Sequence, residues 1–79
     1  MKAKQMFKKL GYKRTCKNDD YITYSKVVSN GQNKKEITFC TELENFNIHY
    51  EVQNDEQTPS INMELFSAIS EQLRELGWI

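Results

Sequence analysis

The sequence of 79 residues contains only three glycines, one proline and two cysteines. Gly11, Gly31 and Gly77 each stand where a helix end or a tight turn is expected, so none is left for a glycine-rich phosphate-binding loop. P-loop and dinucleotide-binding functions are therefore excluded. Cys16 and Cys40 make no disulfide framework, and we expect free thiols in a reducing compartment, with a single disulfide as the open alternative.

The sequence also has no apolar stretch near the ~18 residues that a membrane helix needs. Its basic N-terminus, MKAKQMFKKL, lacks an uninterrupted apolar core and a small-residue cleavage site, which argues against a signal peptide. We therefore expect a soluble cytoplasmic domain that has no contact with a membrane. A single domain of this length buries only about 60% of its unfolded surface, so a second subunit would add useful burial.

The single histidine, His49, has no obvious partners for catalysis or metal binding. It is predicted on the polar face of a strand, diagonal to Cys40, where no pocket excludes water from a Cys–His pair. A zinc site built from Cys16, Cys40 and His49 would lack close ligand spacing and a fourth ligand. The sequence thus predicts no enzyme, no cofactor, no metal and no small-molecule substrate.

Two segments share a Leu-Gly-aromatic ending, KKLGYK near the start and RELGWI at the end. Apolar residues three or four positions apart precede each glycine, which predicts two amphipathic helices. Glycine accepts the left-handed conformation that closes a helix just past its C-cap. We therefore expect Tyr12 to pack back on Phe7, and Trp78 on Leu73.

The second helix has the stronger pattern. Asn62 is its predicted N-cap, and Ile61 and Phe66 on either side are expected to form a hydrophobic staple. Its apolar stripe is predicted from five residues: Leu65, Phe66, Ile69, Leu73 and Leu76.

The middle of the chain predicts strands. KEITFCT and NFNIHYEV alternate apolar and polar residues, YITYSKVV is rich in β-branched and aromatic residues, and YKRTC adds a candidate edge strand. Turns are predicted at Asn30-Gly31 and at ELEN, and the polar segment QNDEQTPS is predicted as a loop. The predicted fold is an α+β two-layer domain, in which an N-terminal and a C-terminal helix cover one face of an antiparallel three- to four-stranded meander.

The predicted pairing places Thr41 opposite Phe46, and Val28 opposite Lys35. Lys26 is the misfit on the apolar face, and we expect its stem along the sheet edge with its charge in water. The residues expected in the core are Ile22, Phe39, Ile48 and Tyr50. Those expected on the opposite face are Thr38, Cys40, Asn47 and His49.

Net charge is zero, but it is unevenly distributed: residues 1–17 carry seven bases and no acid, and residues 36–79 carry nine acids and one base. The basic segment either faces an acidic surface of the same protein or of a second copy, or binds nucleic-acid phosphates while Tyr12 and Tyr21 stack on bases. Zero net charge favours the first interpretation. The candidate contact residues are Lys4, Lys8, Lys9, Lys13 and Arg14.

Three segments, MFKKLGY, DDYITYSK and INMELFSAISEQLRELGWI, resemble small uncharacterised proteins encoded in phages and prophages of Gram-positive bacteria. The resemblance covers nearly the whole chain, and its motifs are structural rather than catalytic. It implies a bacterial cytoplasm and a role in phage biology, and it carries over no functional residues. The leading hypothesis is a non-enzymatic, self-associating protein-interaction module. The alternative is a weak nucleic-acid-binding accessory protein that uses the basic N-terminal segment.

Overall fold

The computed structural model describes residues 1–28, 33–52, 55–56 and 61–79, and the side chains of these residues except at positions 28, 33, 49–52 and 55–56. Its elements in chain order are α1 (Ala3–Lys9), β1 (Lys13–Lys17), β2 (Tyr21–Val28), β3 (Asn33–Cys40), β4 (Asn45–Val52), β5 (Asp55–Glu56) and α2 (Met63–Glu75).

The strands form one antiparallel sheet in the order β1-β2-β3-β4-β5. This confirms the α+β meander with an N-terminal and a C-terminal helix, including the edge strand β1. The two-residue strand β5 corrects the prediction of a continuous loop between β4 and α2. Its pairing with β4 is a backbone interaction, and the polar sequence around it has no apolar alternation that would have indicated a strand.

The end of α1 has the predicted glycine cap. Gly11 has a φ of 93°, and its N–H donates to the Lys8 carbonyl at 3.0 Å. The Tyr12 N–H donates to the Phe7 carbonyl at 2.9 Å, which completes a Schellman motif. The rings of Phe7 and Tyr12 also meet edge to face with centroids 5.8 Å apart, so the predicted aromatic contact is confirmed.

The end of α2 repeats this arrangement. The Gly77 N–H donates to the Arg74 carbonyl and the Trp78 N–H to the Leu73 carbonyl, both at 3.0 Å. Trp78 is partly buried against the core, as predicted. The predicted N-cap is also confirmed, because the Asn62 side chain accepts a hydrogen bond from the backbone of the first turn of α2 at 2.8 Å.

The buried face of α2 is rotated from the predicted stripe. Phe66 was expected in the core but is 55% exposed, and its predicted staple partner Ile61 is also exposed. Ala68 and Gln72 lie in the interior instead, beside Ile69. The physical reason is that α2 packs against α1, and that Gln72 turns inward to accept a hydrogen bond from the Tyr24 hydroxyl of the sheet.

The strand register differs from the prediction by two residues. Phe46 pairs with Phe39 rather than with Thr41, because the β3–β4 turn occupies residues 41–44 and begins one residue earlier than ELEN. Val28 likewise pairs with Asn33 rather than with Lys35. An even shift leaves every side chain on its predicted face, so the apolar face itself was predicted correctly.

The core is built around an aromatic stack. The rings of Phe7 and Tyr24 lie 4.0 Å apart at 15°, and Phe39 meets both edge to face with centroids 6.3 Å away. Ile22 is buried as predicted, and Ile48 packs against the core while partly exposed. The helix α1 thus packs on the sheet through Phe7, which contacts one aromatic residue on each of two neighbouring strands.

The sheet face opposite the helices carries Thr38 and an exposed Asn47, as predicted. Cys40 belongs to this face by alternation but is nevertheless buried, because it lies between Tyr21 and Asn45 on the flanking strands. The expectations for the side chains of residues 49 and 50, and for the turn at residues 30–31, fall outside the described residues.

Candidate functional site

Four of the five predicted contact residues line one open concave surface of about 420 Å³, which we call the basic groove. Lys4 and Lys8 lie one helical turn apart on α1, and so on the same side of it. Lys13 and Arg14 are the first residues of β1, which is an edge strand. The groove therefore lies between α1 and the edge of the sheet.

Lys9 is separated from the groove. It lines a different concave surface together with Met1, Met6 and Glu64. Consecutive residues of a helix point about 100° apart, so Lys8 and Lys9 cannot both face β1. The prediction of five contact residues thus gives four that the structure brings together and one that it does not.

Lys26 of β2 contacts the C-terminal end of α1, next to Gly11 and Tyr12 of the groove lining. Its Nζ donates to the Leu10 carbonyl at 2.8 Å and lies 5.7 Å from the centre of the Tyr12 ring. The sequence predicted this charge in water and did not predict the hydrogen bond, which forms because the free carbonyl at the C-terminus of α1 attracts a cation. A lone lysine on an apolar strand face, in a chain with a glycine-capped helix, was the signal for this contact.

Arg14 has a second role beneath the groove. It pairs with Tyr24 across the β1–β2 ladder, and its positive charge acts on the Tyr24 hydroxyl. The Tyr24 hydroxyl in turn donates to Oε1 of the buried Gln72 at 2.6 Å. Burial raises the pKa of Tyr24, the positive charge of Arg14 lowers it in part, and Glu75 adds to the rise. Arg14 is thus held in place by the core.

The other three groove cations, Lys4, Lys8 and Lys13, are exposed and form no ion pair with any residue whose side chain is described. The Glu75 carboxylate is used elsewhere, since its Oε2 accepts from the Ala3 N–H at 2.6 Å. Like charges held on one concave surface repel one another and favour an anion between them. The groove is therefore suited to an acidic ligand.

A second charged surface lies where the β1–β2 and β3–β4 turns meet. The Thr41 N–H donates to the Asp20 carbonyl at 2.8 Å, and the Thr41 hydroxyl to the Asp19 carbonyl at 2.6 Å. Strand β1 begins at the groove and ends at this surface. The exposed residues of this surface, which we call the acidic end, are Asp19, Asp20, Glu42, Leu43 and Glu44.

The tyrosines that were candidates for base stacking are poorly placed for it. Tyr12 lines the groove but is only 6% exposed, and its ring is packed between Phe7 and the Lys26 ammonium. Tyr21 is exposed but directly follows Asp20 of the acidic end. Neither ring is a free platform beside the four cations.

Cys16 and Cys40 are both free, which agrees with the expected thiols. Among the described residues, no three side chains of histidine, cysteine, aspartate or glutamate lie close enough to hold a metal ion. The side chain of His49 is outside that set. Within the same part of the chain, neither helix has the length and apolar character that crossing a bilayer requires.

Comparison of the chain with protein-family models, with curated proteins and with solved structures gave no match.

Proposed function

We propose that this chain is a non-enzymatic protein-interaction module that binds an acidic protein surface in the basic groove. The observation that carries the proposal is the gathering of Lys4, Lys8, Lys13 and Arg14, from a helix and an edge strand, around one concave surface. Origin in a phage or prophage and a bacterial cytoplasm remain predictions of the sequence resemblance.

Two features favour a protein ligand over nucleic acid. Single-stranded nucleic acid is bound by pairing phosphates with cations and bases with exposed aromatic rings, and Tyr12 is buried. The acidic end would also repel a long polyanion that ran along the sheet beyond the groove. A short acidic segment needs only the groove.

Binding of a fluorescein-labelled oligoglutamate peptide, measured by fluorescence anisotropy, tests this proposal. We expect Lys4→Gln/Lys8→Gln to weaken binding about tenfold, since exposed ion pairs contribute roughly 0.5–1 kcal/mol each. The matched control is Lys9→Gln/Lys17→Gln, which removes the same charge outside the groove and should change affinity less than about twofold. Arg14 is left intact because it also contacts the core.

Equal loss of affinity in both double variants would contradict the proposal, because the peptide would then respond to total charge alone. An oligonucleotide of equal charge that displaces the peptide at physiological salt, where exposed charges more than about 8 Å apart are largely screened, would favour the nucleic-acid alternative.

A further inference from the structure

We propose that the acidic ligand of the basic groove is the β3–β4 turn of a second copy of this chain, so that the copies associate head to tail. The inference rests on the proposed function and names its partner. The docking segment is Glu42-Leu43-Glu44 at the tip of the acidic end.

The turn carries an apolar side chain that is not packed against the rest of its own chain. Leu43 is 69% exposed, and it stands between two exposed carboxylates, Glu42 and Glu44. Glu44 closes the turn in a left-handed conformation with a φ of 50°, which is uncommon for a residue other than glycine. The tip therefore presents one apolar group flanked by two negative charges.

Hydrogen bonds within the chain hold the acidic end in a fixed shape. The two Thr41 hydrogen bonds join the adjacent turns, and Asn18 Oδ1 accepts from the N–H groups of Asp20 and Tyr21, both at 2.8 Å. A preformed surface loses less conformational entropy on binding than a flexible one. These bonds hold the aspartates beside the Glu42-Leu43-Glu44 tip.

The groove offers the complementary features. Gly11, Tyr12 and the aliphatic stems of the lysines supply apolar lining, while the lysine and arginine heads carry the charge. A volume of about 420 Å³ exceeds that of a leucine side chain. Four cations on the groove thus face four carboxylates on the acidic end.

One chain cannot satisfy both surfaces by itself. The groove is at the start of β1 and the acidic end follows its last residue, so the five residues of β1 separate them by roughly 15 Å. The two surfaces differ, so the contact is heterologous, and repeated contacts build a chain or close into a ring.

Complementary charge reversal tests the pairing by sedimentation velocity. Lys4→Glu/Lys8→Glu reverses two charges of the groove, and Glu42→Lys/Glu44→Lys reverses two charges of the turn. Each variant alone should sediment as a monomer. An equimolar mixture should regain association, because the intact turn of the first variant meets the intact groove of the second, and the two reversed surfaces are also opposite in charge. Lys9→Glu/Lys34→Glu is the charge-matched control, because neither residue belongs to the groove or to the acidic end, and it should associate like the wild type.

Leu43→Ser tests the apolar contact without a change in charge and should raise the dissociation constant about tenfold. Circular dichroism of every variant verifies folding, and Lys4→Gln/Lys8→Gln replaces the reversal variant if that one is unfolded. Its expected result is the same loss of self-association.

The outcomes separate the two proposals. A wild type that stays monomeric at all concentrations but binds the oligoglutamate peptide in its groove overturns the self-association and leaves the proposed function standing. A wild type that associates although the mixture of reversal variants does not overturns this pairing of turn and groove. A chain that binds neither peptide nor itself overturns both proposals.

Discussion

Lys26 and Gly11 depend on each other at the end of α1. Gly11 has a left-handed backbone, and a Cβ atom at this position would lie 3.1 Å from Lys26 Cε. The lysine therefore reaches the Leu10 carbonyl by passing close to a residue without a side chain, and a methyl group at this position would require Lys26 to shift. Gly77 closes α2 with a similar φ but has open space around it, which gives a natural comparison.

We expect Gly77→Ala to lower the free energy of unfolding by about 1 kcal/mol, the strain of a left-handed alanine. Gly11→Ala should cost more, because Lys26 must also move. In a Lys26→Ala background the extra cost should disappear. Urea denaturation of the four single and double variants measures this coupling. Equal losses of stability for the two glycine substitutions in the wild-type background would show that Lys26 moves aside without an energetic cost.

Tyr24 gives the stability of the protein a dependence on alkaline pH. Its pKa is raised above the ordinary value of 10.0, chiefly by burial. In the unfolded chain the hydroxyl loses its proton near pH 10. The folded state therefore binds more protons in that range, and stability is lost as the pH rises above about 10.

Tyr24→Phe should remove this part of the alkaline loss, so the free energy of unfolding should fall less steeply above about pH 10 than in the wild type. At neutral pH the same variant should be about 1–2 kcal/mol less stable, because Gln72 loses its buried hydrogen-bond donor. Urea denaturation at neutral and alkaline pH measures both effects, and parallel pH profiles would contradict the assignment.

The elements themselves were largely predictable from local chemistry. Glycine caps, the Asn62 N-cap and strand alternation are local signals, and the structure confirms them. The rotation of α2 was not predictable from its own stripe, because it depends on where α1 packs. The register was wrong by two residues because ELEN resembles a turn as well as the actual residues 41–44 do.

The rotation of α2 predicts unequal effects of two apolar truncations. Ile69→Ala should cost about 3 kcal/mol, since Ile69 is almost fully buried, whereas Phe66→Ala should cost less than about 1 kcal/mol. Thermal and urea denaturation of the two variants make the comparison. A larger loss of stability for Phe66→Ala than for Ile69→Ala would instead support the apolar stripe predicted from the sequence.

The C-terminal clamp gives a second prediction for α2. Truncation after Leu76 removes the capping glycine and the partly buried Trp78, and it should cost about 2 kcal/mol. Truncation after Trp78 removes only an exposed residue and serves as the control. Melting temperatures of the two shortened chains should therefore differ by several degrees, and equal values would show that the clamp contributes little.

At the scale of the whole molecule, the fold converts a charge asymmetry along the chain into two separate surfaces. The sequence identified the basic segment, but it did not distinguish Lys8 from Lys9, because that choice depends on the side of α1 that faces β1. The acidic end was not foreseen either. It forms because an antiparallel meander brings alternate turns to the same end of the sheet.

The most direct test of the basic groove as the binding site is an amide chemical-shift titration of the chain with the oligoglutamate peptide. We expect the largest shifts at the backbone amides of Lys4, Lys8, Gly11 and Lys13, with little change at Thr23 and Thr38 on the opposite face of the sheet. Shifts concentrated on that opposite face, or spread evenly over every lysine of the chain, would contradict the proposed site.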